Sequence, residues 1–513
     1  MSYDVAIIGY GPTGMVLASL LGKLGHSVVV IERYSGLYNL PRAAAFDDET
    51  MRTFQYLGIA EAMLEGTNIQ RGYEWINGKG DVLLDIEYDN PGRCGWPAQY
   101  MMYQPHVEDV LDGHVQSVPG VTVHQGMTVT AISEADGMVT ATATDRDGAA
   151  HQFRAKWLIG ADGGNGFARS YIDSGLQDFG FFENWLVCDF EMKHAVSTIP
   201  SFRQVCNPEQ PISIVNIGPR HHRFSFRLEV DDDKEKVLEP DRVWARVAQF
   251  LSPDDAELIR VANYTFRSRI VENWRKGRVL LAGDAAHEMP PFLAQGMVSG
   301  IRDARNLVWK LDMVLAGYSD ALLDSYQTER EPHVRFITER AIELGRVQTM
   351  RDPAEAEKRD AKMIAARAAH QKPDKLVYPG LSSGMIADDG QLLPQGVVSS
   401  GTATGLFDSV AGTGWLIVAK GPDALTGLTD AARVAWQRLG GGTAIFNLAS
   451  TVGGGDLSDT GGVYARWFDE TGAIAAVVRP DHYIYGTADS GDRLNTLILK
   501  LTQSLGVANA PAR

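Results

Sequence analysis

The amino-acid sequence predicts an α/β protein of several domains. At 513 residues the chain exceeds what one hydrophobic core usually supports, so we expect two or three domains. Three segments indicate a parallel sheet, because in each a short apolar strand ends in Gly or Asp shortly before a helix. These strands begin near residues 4, 157 and 279. Between the last two, the pattern changes to the short strands typical of an antiparallel sheet.

The N-terminal segment has the pattern of a dinucleotide-binding unit. A buried strand, Asp4–Ile8, is followed by Gly9, Gly11 and Gly14, then by a helix, a second strand and Glu32. Gly9 permits a tight turn, Gly11 lets the backbone approach a pyrophosphate, and Gly14 allows the helix to pack closely on the strand. Glu32 is placed to accept hydrogen bonds from a ribose. The glycine spacing alone is a weak signal, but the surrounding strands, helix and acid make it specific.

Two further strand ends carry carboxylates. One strand leads to Asp162 and Gly163, and the strand Val279–Ala282 leads to Gly283 and Asp284. A helix is then predicted to begin near residue 296, and its free N–H groups and dipole would favour an anion. Each segment alone is also compatible with an ordinary strand-to-helix connection. Because the carboxyl ends of parallel strands meet at one edge of a sheet, the three together predict a ligand site there.

The predicted domains follow from these patterns. Residues 1–174 and 277–371 form two parts of the dinucleotide-binding domain, and residues 175–276 form an inserted antiparallel sheet to which residues 72–100 contribute. A stretch rich in Pro and Gly indicates a boundary near residue 380. Residues 380–513 have the strand and helix order of a thioredoxin-like domain. No C-x-x-C is present, so thiol redox chemistry is excluded there.

The composition excludes several classes of function. A net charge of -16 and a pI near 5.2 argue against a nucleic-acid surface, which needs clustered Lys and Arg. The sequence has no run of about 18 apolar residues, so no membrane-spanning helix is predicted. The first strand follows the N-terminus without a leader, so we expect a cytoplasmic protein. Cys94, Cys188 and Cys206 match no disulfide framework, and the scattered His residues match no metal-site spacing, so we predict no metal.

Taken together, these motifs resemble those of the FAD-dependent aromatic hydroxylases, the group A flavoprotein monooxygenases, and most of all the 3-(3-hydroxyphenyl)propionate hydroxylase subfamily. The likeness covers nearly the whole chain. The chain departs from the family pattern at Ala294 and Val298, where the family usually has Gly and Asn. The resemblance rests on Gly9-x-Gly11-x-x-Gly14 with Glu32, Pro41-Arg42-Ala43, Asp47-Asp48-Glu49, Gln104, Gly160-Ala161-Asp162-Gly163 with Arg169, Gly283-Asp284, Pro290, Gln295-Gly296, Gly300, Asp303-Ala304, Asn306-Leu307, and Arg479-Pro480-Asp481 with Tyr483.

The resemblance implies a fold like that of p-hydroxybenzoate hydroxylase. A Rossmann-type FAD-binding domain carries an inserted antiparallel substrate sheet and is followed by the thioredoxin-like domain. It also implies hydride transfer from NADH or NADPH to FAD, reaction with O2 to a C4a-hydroperoxyflavin, and oxygen transfer to a phenolic or related aromatic substrate. The expected partners are this small aromatic molecule, O2 and the coenzyme, with no nucleic acid and no membrane. A homodimer is compatible with the sequence.

The residues of the cofactor site are also implied by the resemblance. Asp284 is expected to hold the ribityl chain, Asp162 and Gly163 to serve both FAD and the coenzyme, and residues 295–297 to stabilise negative charge on the reduced ring. For Gln104, an amide that caps a helix is the simpler explanation. The predicted cofactor-binding set is Gly9, Gly11, Pro12, Thr13, Gly14, Glu32, Arg33, Arg42, Gln104, Asp162, Gly163, Gly283, Asp284, Pro291, Gln295, Gly296 and Met297.

The substrate site is predicted by its chemistry. A phenol attacks best as a phenolate, so a base or hydrogen-bond acceptor is expected near its hydroxyl. Arg203 or Arg220 would pair a substrate carboxylate. The predicted catalytic candidates are His221, His222, Tyr264 and Asp48, and the predicted substrate-binding residues are Arg203, Asn216, Phe224, Pro291 and Phe292.

Two alternatives are weighed against this function. The first is a flavin-dependent oxidase, reductase or halogenase on the same scaffold, although the G-x-W-x-W-x-I signature of the halogenases is absent. The second is a non-catalytic FAD-binding protein. Such a protein would have no need to keep Asp162-Gly163 and the Pro290-Pro291 turn.

Overall fold

The computed structural model describes residues 2–40, 42–229, 231–373, 376–388, 390–401, 403–448 and 456–507. The chain divides into two compact units. The first comprises Met1–Gly92, Pro97–Ile301 and Arg335–Val377, and the second comprises Arg93–Trp96, Arg302–Val334 and Tyr378–Arg513.

The strands and helices alternate along the chain as an α/β protein requires. From the N-terminus to residue 192 they are β1 (Ser2–Ile8), α1 (Pro12–Lys23), β2 (Val28–Glu32), β3 (Ala45–Asp47), α2 (Asp48–Leu57), α3 (Ala60–Leu64), β4 (Thr67–Ile69), β5 (Gly72–Ile76), β6 (Val82–Glu87), β7 (Gln99–Met102), α4 (Gln104–Ser117), β8 (Val121–Gln125), β9 (Thr128–Ala135), β10 (Met138–Thr144), β11 (Ala150–Gly160), α5 (Phe167–Ile172) and β12 (Leu176–Met192).

The elements from residue 202 to residue 368 complete the first unit and begin the second. They are β13 (Phe202–Val205), β14 (Ile212–Asn216), β15 (His221–Arg227), α6 (Pro240–Val247), β16 (Ala256–Val271), β17 (Arg275–Lys276), β18 (Val279–Leu281), β19 (His287–Glu288), α7 (Gly296–Leu315), α8 (Asp324–Gln348) and α9 (Pro353–Ala368).

The C-terminal elements all belong to the second unit. They are β20 (Val397–Ser399), β21 (Thr404–Leu406), α10 (Phe407–Ala411), β22 (Leu416–Ala419), α11 (Asp430–Arg438), β23 (Gly442–Ile445), β24 (Ser458–Asp459), α12 (Val463–Thr471), β25 (Ala475–Val478), β26 (Ile484–Ala488) and α13 (Gly491–Ser504).

The first sheet places the three predicted strand ends side by side. Its order is β17-β18-β11-β1-β2-β8, and strands β18, β11, β1, β2 and β8 run parallel. The inner strands are apolar where both of their faces are buried, as residues 28–31 of β2 and all of β18 show. The α/β class is therefore confirmed. Since β1, β11 and β18 are neighbours, the segments that follow them emerge at one edge of the sheet.

The second sheet of the first unit is mainly antiparallel, with the order β19-β16-β12-β15-β14-β13-β5-β6. Cross-strand partners share a face, and the pairing separates two sets of side chains. We call the side that carries Trp185, Asp189, His221, Arg223 and Tyr264 the inner face. The opposite side, the outer face, carries an apolar cluster that includes Leu186, Phe190 and Phe224 and is covered by α6.

The second unit contains a thioredoxin-like sheet. Its order is β23-β22-β25-β26, in which β22 and β23 are parallel and β25 and β26 are antiparallel to their neighbours. The chain therefore follows the predicted thioredoxin-like order. Helix α12 was not predicted from the sequence. Its apolar side, with Tyr464 and Phe468, is fully buried in the domain core. No Cys residue belongs to this sheet or its helices.

A buried ion network explains the Arg479-Pro480-Asp481 motif of the second unit. Arg479 donates to Asp481 at 2.5 Å and to Glu329 at 2.8 Å, and Lys310 donates to the same Glu329 oxygen at 2.8 Å. Burial lowers the pKa of Lys310 to about 8, although Glu329 opposes this shift. Removal of any one of these charges would leave its partners desolvated without compensation, so the motif serves the structure of this unit.

Candidate active site

The turn after β1 has the geometry of a phosphate-binding turn. Gly9 has a φ of +104°, which favours glycine, and a Cβ on Gly14 would lie 2.1 Å from the Gly9 carbonyl oxygen. A Cβ on Gly11, in contrast, would meet no atom within 4 Å. Gly11 precedes α1, whose first turn contains Pro12 and Thr13 and no acidic residue. The N-terminus of α1 therefore faces open space that an anion can enter.

Glu32 is held at the end of β2 by the backbone. Its two carboxylate oxygens accept the N–H groups of Tyr10 and Tyr34, each at 2.8 Å. These bonds orient the carboxylate next to the Gly9–Gly14 turn and leave lone pairs for further donors. Arg33 is exposed, and its guanidinium lies 4.9 Å from the centre of the Tyr34 ring.

Asp162 follows β11 and has one satisfied and one unsatisfied oxygen. Its Oδ2 accepts the N–H of Ala168 at 3.0 Å, whereas Oδ1 is buried without a hydrogen-bond partner. Desolvation raises the pKa of this carboxyl above the ordinary Asp value, against the backbone hydrogen bonds that lower it. Gly163 has a φ of +82°, and the space around it is open. A buried acceptor without a partner beside open space indicates a missing donor.

Asp284 follows β18 and lies in the short turn Gly283–Ala285. Solvent reaches its side chain, yet the surrounding protein is dense enough that desolvation raises the pKa of the carboxyl. His287, Arg42 and Arg169 act in the opposite direction, and Glu288 adds to the increase. The exposure of the Asp284 side chain and the raised pKa of its carboxyl are compatible if the carboxylate borders a space that is open but largely enclosed by protein.

Arg169 is a residue whose role the sequence did not reveal. Its guanidinium donates to the carbonyl oxygens of Asp284 at 2.6 Å and Ala285 at 2.9 Å, and to Glu288 at 3.1 Å. Arg269 completes the group by donating to the other Glu288 oxygen at 2.6 Å. Arg169 therefore sets the backbone of the turn that presents Asp284. The sequence indicated only that Arg169 belongs to the motif that begins at Asp162. It did not indicate the partners of Arg169, which lie 115 residues or more away in sequence.

Helix α7 begins at Gly296, as predicted, beside the turn that carries Asp284. A Cβ on Gly300 would lie 2.2 Å from the Thr13 hydroxyl oxygen and 3.2 Å from the Gly283 Cα, so the start of α7 packs tightly on both preceding turns. Gln295 and Val298 are buried, whereas Gly296 and Met297 are partly accessible. The side chain of Val298, where the family has Asn, points into the protein core.

Ala294 adopts a left-handed conformation before α7, with a φ of +55° and a ψ of +31°. Glycine adopts this conformation at no steric cost, and a β-branched residue is strongly disfavoured there. The family's Gly is thus replaced without loss of the backbone path, at a cost of about 1 kcal/mol.

We expect the substitutions Ala294→Gly and Ala294→Val to have different effects on stability. Ala294→Val should lower the thermal unfolding midpoint, because its branched Cβ clashes with its own backbone at positive φ, by about 2 kcal/mol or more in free energy. Ala294→Gly should not lower the midpoint, because relief of strain offsets the lost methyl contacts with the Ala45 and Met101 cluster. Differential scanning fluorimetry of both variants beside the parent tests this, and equal midpoints for Val and Gly would contradict it.

Gln104 and Arg42 belong to one hydrogen-bonded group. The side-chain oxygen of Gln104 accepts the N–H groups of Arg42 at 3.0 Å and Ala43 at 2.5 Å, and its amide nitrogen donates to Glu108 at 2.6 Å. Gln104 is therefore occupied in supporting a loop. The Arg42 guanidinium stacks on the Tyr38 ring at 3.7 Å. Pro41, the first residue of the Pro-Arg-Ala motif, lies outside the described residues.

The four catalytic candidates do not meet at one point. His221 and Tyr264 share the inner face, but they pair with Glu191 and Trp185, which are six residues apart on β12 or about 20 Å along the strand. His222 points to the outer face. Asp48 begins α2 and lies beside the loop at residue 92, and it belongs to no strand of the second sheet.

The two histidines are poorly suited to act as bases. Burial lowers the pKa of His221 to about 4, helped by the positive charge of Arg220, and burial lowers the pKa of His222 to about 4 as well. A base is most effective when its pKa lies near the working pH. His221 also stacks on Tyr103 with ring centres 3.7 Å apart, and His222 lies 3.5 Å from the Asn216 amide. Both rings therefore fit structural roles.

Tyr264 has a charged neighbour. Arg260, four residues earlier on β16, donates a hydrogen bond to the Tyr264 hydroxyl and also contacts Asp189 at 3.4 Å. Burial acts to lower the pKa of Arg260, but Tyr264 and Asp189 together raise it above the ordinary Arg value. Because the Tyr264 oxygen accepts from Arg260, its own O–H is free to donate to another group.

The predicted substrate residues divide between the two faces. Phe224 lies on the outer face in the core covered by α6, and the pairing of β13 and β14 places Arg203 and Asn216 on that face too. Phe292, in the turn after Pro291, instead approaches Trp185 of the inner face at a ring distance of 6.2 Å. Of the predicted substrate residues, Phe292 therefore lies beside the inner face, whereas Phe224, Arg203 and Asn216 lie on the outer face.

Comparison with known proteins identifies the family. Residues 2–341 match the model of an FAD binding domain, and residues 390–503 match the HcaD C-terminal domain. This chain belongs to the FAD-dependent aromatic hydroxylases. It is 63% identical to a probable NADH-specific resorcinol 4-hydroxylase of Rhodococcus jostii (strain RHA1), over 99% of this chain and 96% of the relative. It is 30% identical to the 3-(3-hydroxy-phenyl)propionate/3-hydroxycinnamic acid hydroxylase of Shigella sonnei (strain Ss046), over 98% and 95%.

Solved structures show the same fold. The flavin-dependent monooxygenase PieE, in complex with FAD and substrate, has a TM-score of 0.82 at 22% identity, and the alignment covers 99% of each chain. Aklavinone-11 hydroxylase, in a ternary complex with FAD and aklavinone, has a TM-score of 0.77 at 22% identity over 98% of this chain and 99% of that one. The family model and the two curated relatives, rather than these structures, show that the protein is a flavoprotein monooxygenase that uses FAD, a reduced nicotinamide coenzyme and O2 to hydroxylate an aromatic ring.

The residues that follow β1, β11 and β18 fit an FAD. Gly11 leaves open space at a helix N-terminus, Asp162 has a buried oxygen that lacks a donor, and solvent reaches Asp284 in dense surroundings. A phosphate would suit the open space at Gly11, and sugar hydroxyls would suit the carboxylates of Asp162 and Asp284. Within the described ranges, no group of three or more His, Cys, Asp or Glu residues is arranged to hold a metal ion. No helix among them is long and apolar enough to cross a bilayer.

Proposed function

We propose that this protein hydroxylates resorcinol at ring position 4 with NADH as the reductant. The identity of 63% along nearly the full length of the Rhodococcus relative is the observation that carries this proposal. Position 4 is ortho to one hydroxyl and para to the other, so both hydroxyls activate this carbon toward an electrophilic oxygen. The reaction converts resorcinol, O2, NADH and a proton into benzene-1,2,4-triol, water and NAD+.

The arginines of the substrate sheet support a substrate without a carboxylate. Arg203 is paired with Glu74 at 2.6 Å, and Arg220 is paired with Glu191. Both arginines that the sequence suggested for a substrate carboxylate are therefore already neutralised within the protein. A substrate carboxylate would have to compete with these glutamates for the arginines, whereas an uncharged dihydroxybenzene would not.

In the proposed cofactor site, Gly11 and the N-terminus of α1 admit the pyrophosphate and Glu32 binds the adenosine ribose. Asp162 accepts a hydrogen bond at its unsatisfied oxygen, and Asp284 accepts the ribityl hydroxyls. The N–H groups at the start of α7, near residue 296, would stabilise negative charge on the ring system of a bound FAD. When bound, FAD supplies the hydride acceptor and the O2 chemistry, and the protein supplies position and shielding.

On the substrate side, Tyr264 is the residue that we assign to a resorcinol hydroxyl. Arg260 donates to its oxygen, so the Tyr264 O–H is oriented to donate to the substrate oxygen and to stabilise the phenolate that makes the ring more nucleophilic. Phe292, Phe181 and Trp185 form an aromatic group beside it, with ring distances of 6.0 and 6.2 Å to Phe292. These side chains would exclude water from the reacting carbon.

A direct assay tests the proposed function. The purified holoenzyme is given NADH or NADPH with resorcinol, phenol or 3-(3-hydroxyphenyl)propionate, and products are identified by mass spectrometry while O2 consumption is recorded. We expect benzene-1,2,4-triol from resorcinol, one product molecule per NADH, and slow oxidation of NADPH. Faster coupled turnover of the phenylpropionate than of resorcinol would overturn the substrate assignment. NADH oxidation without any hydroxylated product would support an oxidase or reductase instead.

We expect Tyr264→Phe to lower kcat for resorcinol by about ten- to a hundredfold, because the donor to the substrate oxygen is lost. The visible spectrum and amount of bound flavin should be unchanged, since the Tyr264 hydroxyl is bonded to Arg260 and not to a residue of the proposed cofactor site. Tyr171→Phe is the matched control, because its hydroxyl donates to Glu134 at 3.0 Å on the protein surface. A Tyr264→Phe variant with the same kcat as Tyr171→Phe would exclude Tyr264 from the reaction.

A further inference from the structure

We infer that Asp189 and Arg223, on the inner face of the substrate sheet, are positioning residues for the cofactor arginine Arg42. This inference deepens the proposed function and rests on its cofactor site. No residue of the substrate sheet was expected from the sequence to act on FAD binding. The link is a chain of hydrogen bonds that joins residues 42, 104, 189 and 223.

The first part of the link is a buried ion pair. The Arg223 guanidinium donates to both oxygens of Asp189, at 2.6 and 3.1 Å, and the Asp189 side chain is completely buried. Such a two-bond contact fixes the plane of the guanidinium as well as its place. Buried ion pairs are weak sources of stability, because desolvation offsets their attraction. A geometric role therefore explains this pair better than a stabilising one.

The second part of the link is a hydrogen bond from Arg223 to the cofactor loop. The remaining Nη1 of Arg223 donates to the backbone carbonyl oxygen of Arg42 at 2.6 Å. From the other side, Gln104 accepts the N–H groups of Arg42 and Ala43. The peptide groups on both sides of the Arg42 Cα are thus held by side chains. With the backbone fixed in this way, the direction in which the Arg42 side chain leaves the loop is also fixed.

The Arg42 guanidinium is available to a ligand. It is exposed, stacks on Tyr38 at 3.7 Å, and its positive charge reaches both Asp284 and Glu108, where it lowers the pKa of each carboxyl against desolvation. A planar guanidinium on an aromatic ring is well suited to contact a phosphate or the edge of a flavin. Displacement of the Arg42 backbone would therefore weaken a contact that Arg223 itself does not make.

A double-mutant cycle on FAD affinity tests the inference. The apoproteins of Arg223→Met, Arg42→Ala and the double variant are titrated with FAD, and flavin fluorescence reports the dissociation constant. We expect each single change to raise the dissociation constant about tenfold. The double variant should be no weaker than Arg42→Ala alone, because Arg223 acts through Arg42.

Arg227→Met is the matched control. Arg227 lies four residues from Arg223 on the same strand and face and is also buried. It donates to the carbonyl oxygens of Thr349 and Pro208 at 2.8 Å instead of to Arg42. Its loss should change FAD affinity less than twofold and should add independently to Arg42→Ala. Arg223→Lys, which keeps the charge and one donor, should recover part of the affinity that Arg223→Met loses.

Several outcomes would overturn the inference. They are an unchanged dissociation constant in Arg223→Met or in Arg42→Ala, a double variant about a hundredfold weaker than the parent, and an equal loss in Arg227→Met. If Arg223→Met fails to fold, Arg223→Lys and Asp189→Asn carry the same cycle. The titration contains neither NADH nor a phenol, so its result does not depend on the result of the resorcinol assay. Failure of the resorcinol assay would affect only the proposed substrate.

Discussion

Asp284→Ala should raise the dissociation constant for FAD by about ten- to a hundredfold. A hydrogen bond to a charged acceptor is worth about 1.5–3 kcal/mol, and the ribityl hydroxyls would lose theirs. The apoprotein should fold normally, because the Asp284 side chain is reached by solvent and the turn itself is held through its carbonyl oxygens by Arg169. The measurement is a fluorescence titration of apoprotein with FAD, together with the flavin content of the protein as purified.

Two variants make this prediction specific. Asp284→Asn keeps an acceptor oxygen in the same place and should lose less affinity than Asp284→Ala. Asp145→Ala removes a surface carboxylate that is bonded to His151 in a remote hairpin, and it should leave FAD affinity unchanged. FAD affinity in Asp284→Ala equal to that of Asp145→Ala would remove Asp284 from the cofactor site.

Gly14→Ala and Gly11→Ala should fail in different ways. The new methyl at residue 14 would lie 2.1 Å from the Gly9 carbonyl oxygen, a backbone atom, so α1 must move away from β1. We expect a loss of about 3 kcal/mol in unfolding free energy. The methyl at residue 11 meets no protein atom within 4 Å, and its φ of -80° suits alanine. Gly11→Ala should therefore keep the stability of the apoprotein and lose about tenfold or more in FAD affinity.

Thermal unfolding of the apoproteins, followed by FAD titration, separates the two effects. The stability of Gly14→Ala should fall with or without FAD, whereas Gly11→Ala should differ from the parent only when FAD is added. Gly113→Ala, at an α4 position whose Cβ also meets no atom within 4 Å, controls for the glycine change itself. If Gly11→Ala binds FAD as well as Gly113→Ala does, the pyrophosphate does not approach residue 11.

Local patterns determined the cofactor half of the site. The spacing of Gly9, Gly11 and Gly14 and the apolar runs of β1, β11 and β18 are properties of short segments, and parallel strands bring their carboxyl ends to one edge whatever the rest of the chain does. The start of α7 at Gly296 was likewise readable from its sequence. The residue before Gln295 differs from the family pattern, which has Gly there. Because Ala294 keeps the left-handed conformation, the backbone path is unchanged.

Only the tertiary structure decided which side chains face the substrate. Successive residues of a strand alternate between faces, so the sequence showed that His221 and His222 point opposite ways but not which face is covered by α6. The pairing of Arg203 with Glu74 and of Arg223 with Asp189 and Arg42 joins residues 129, 34 and 181 positions apart. Such contacts depend on how separate elements pack, because no local periodicity encodes them.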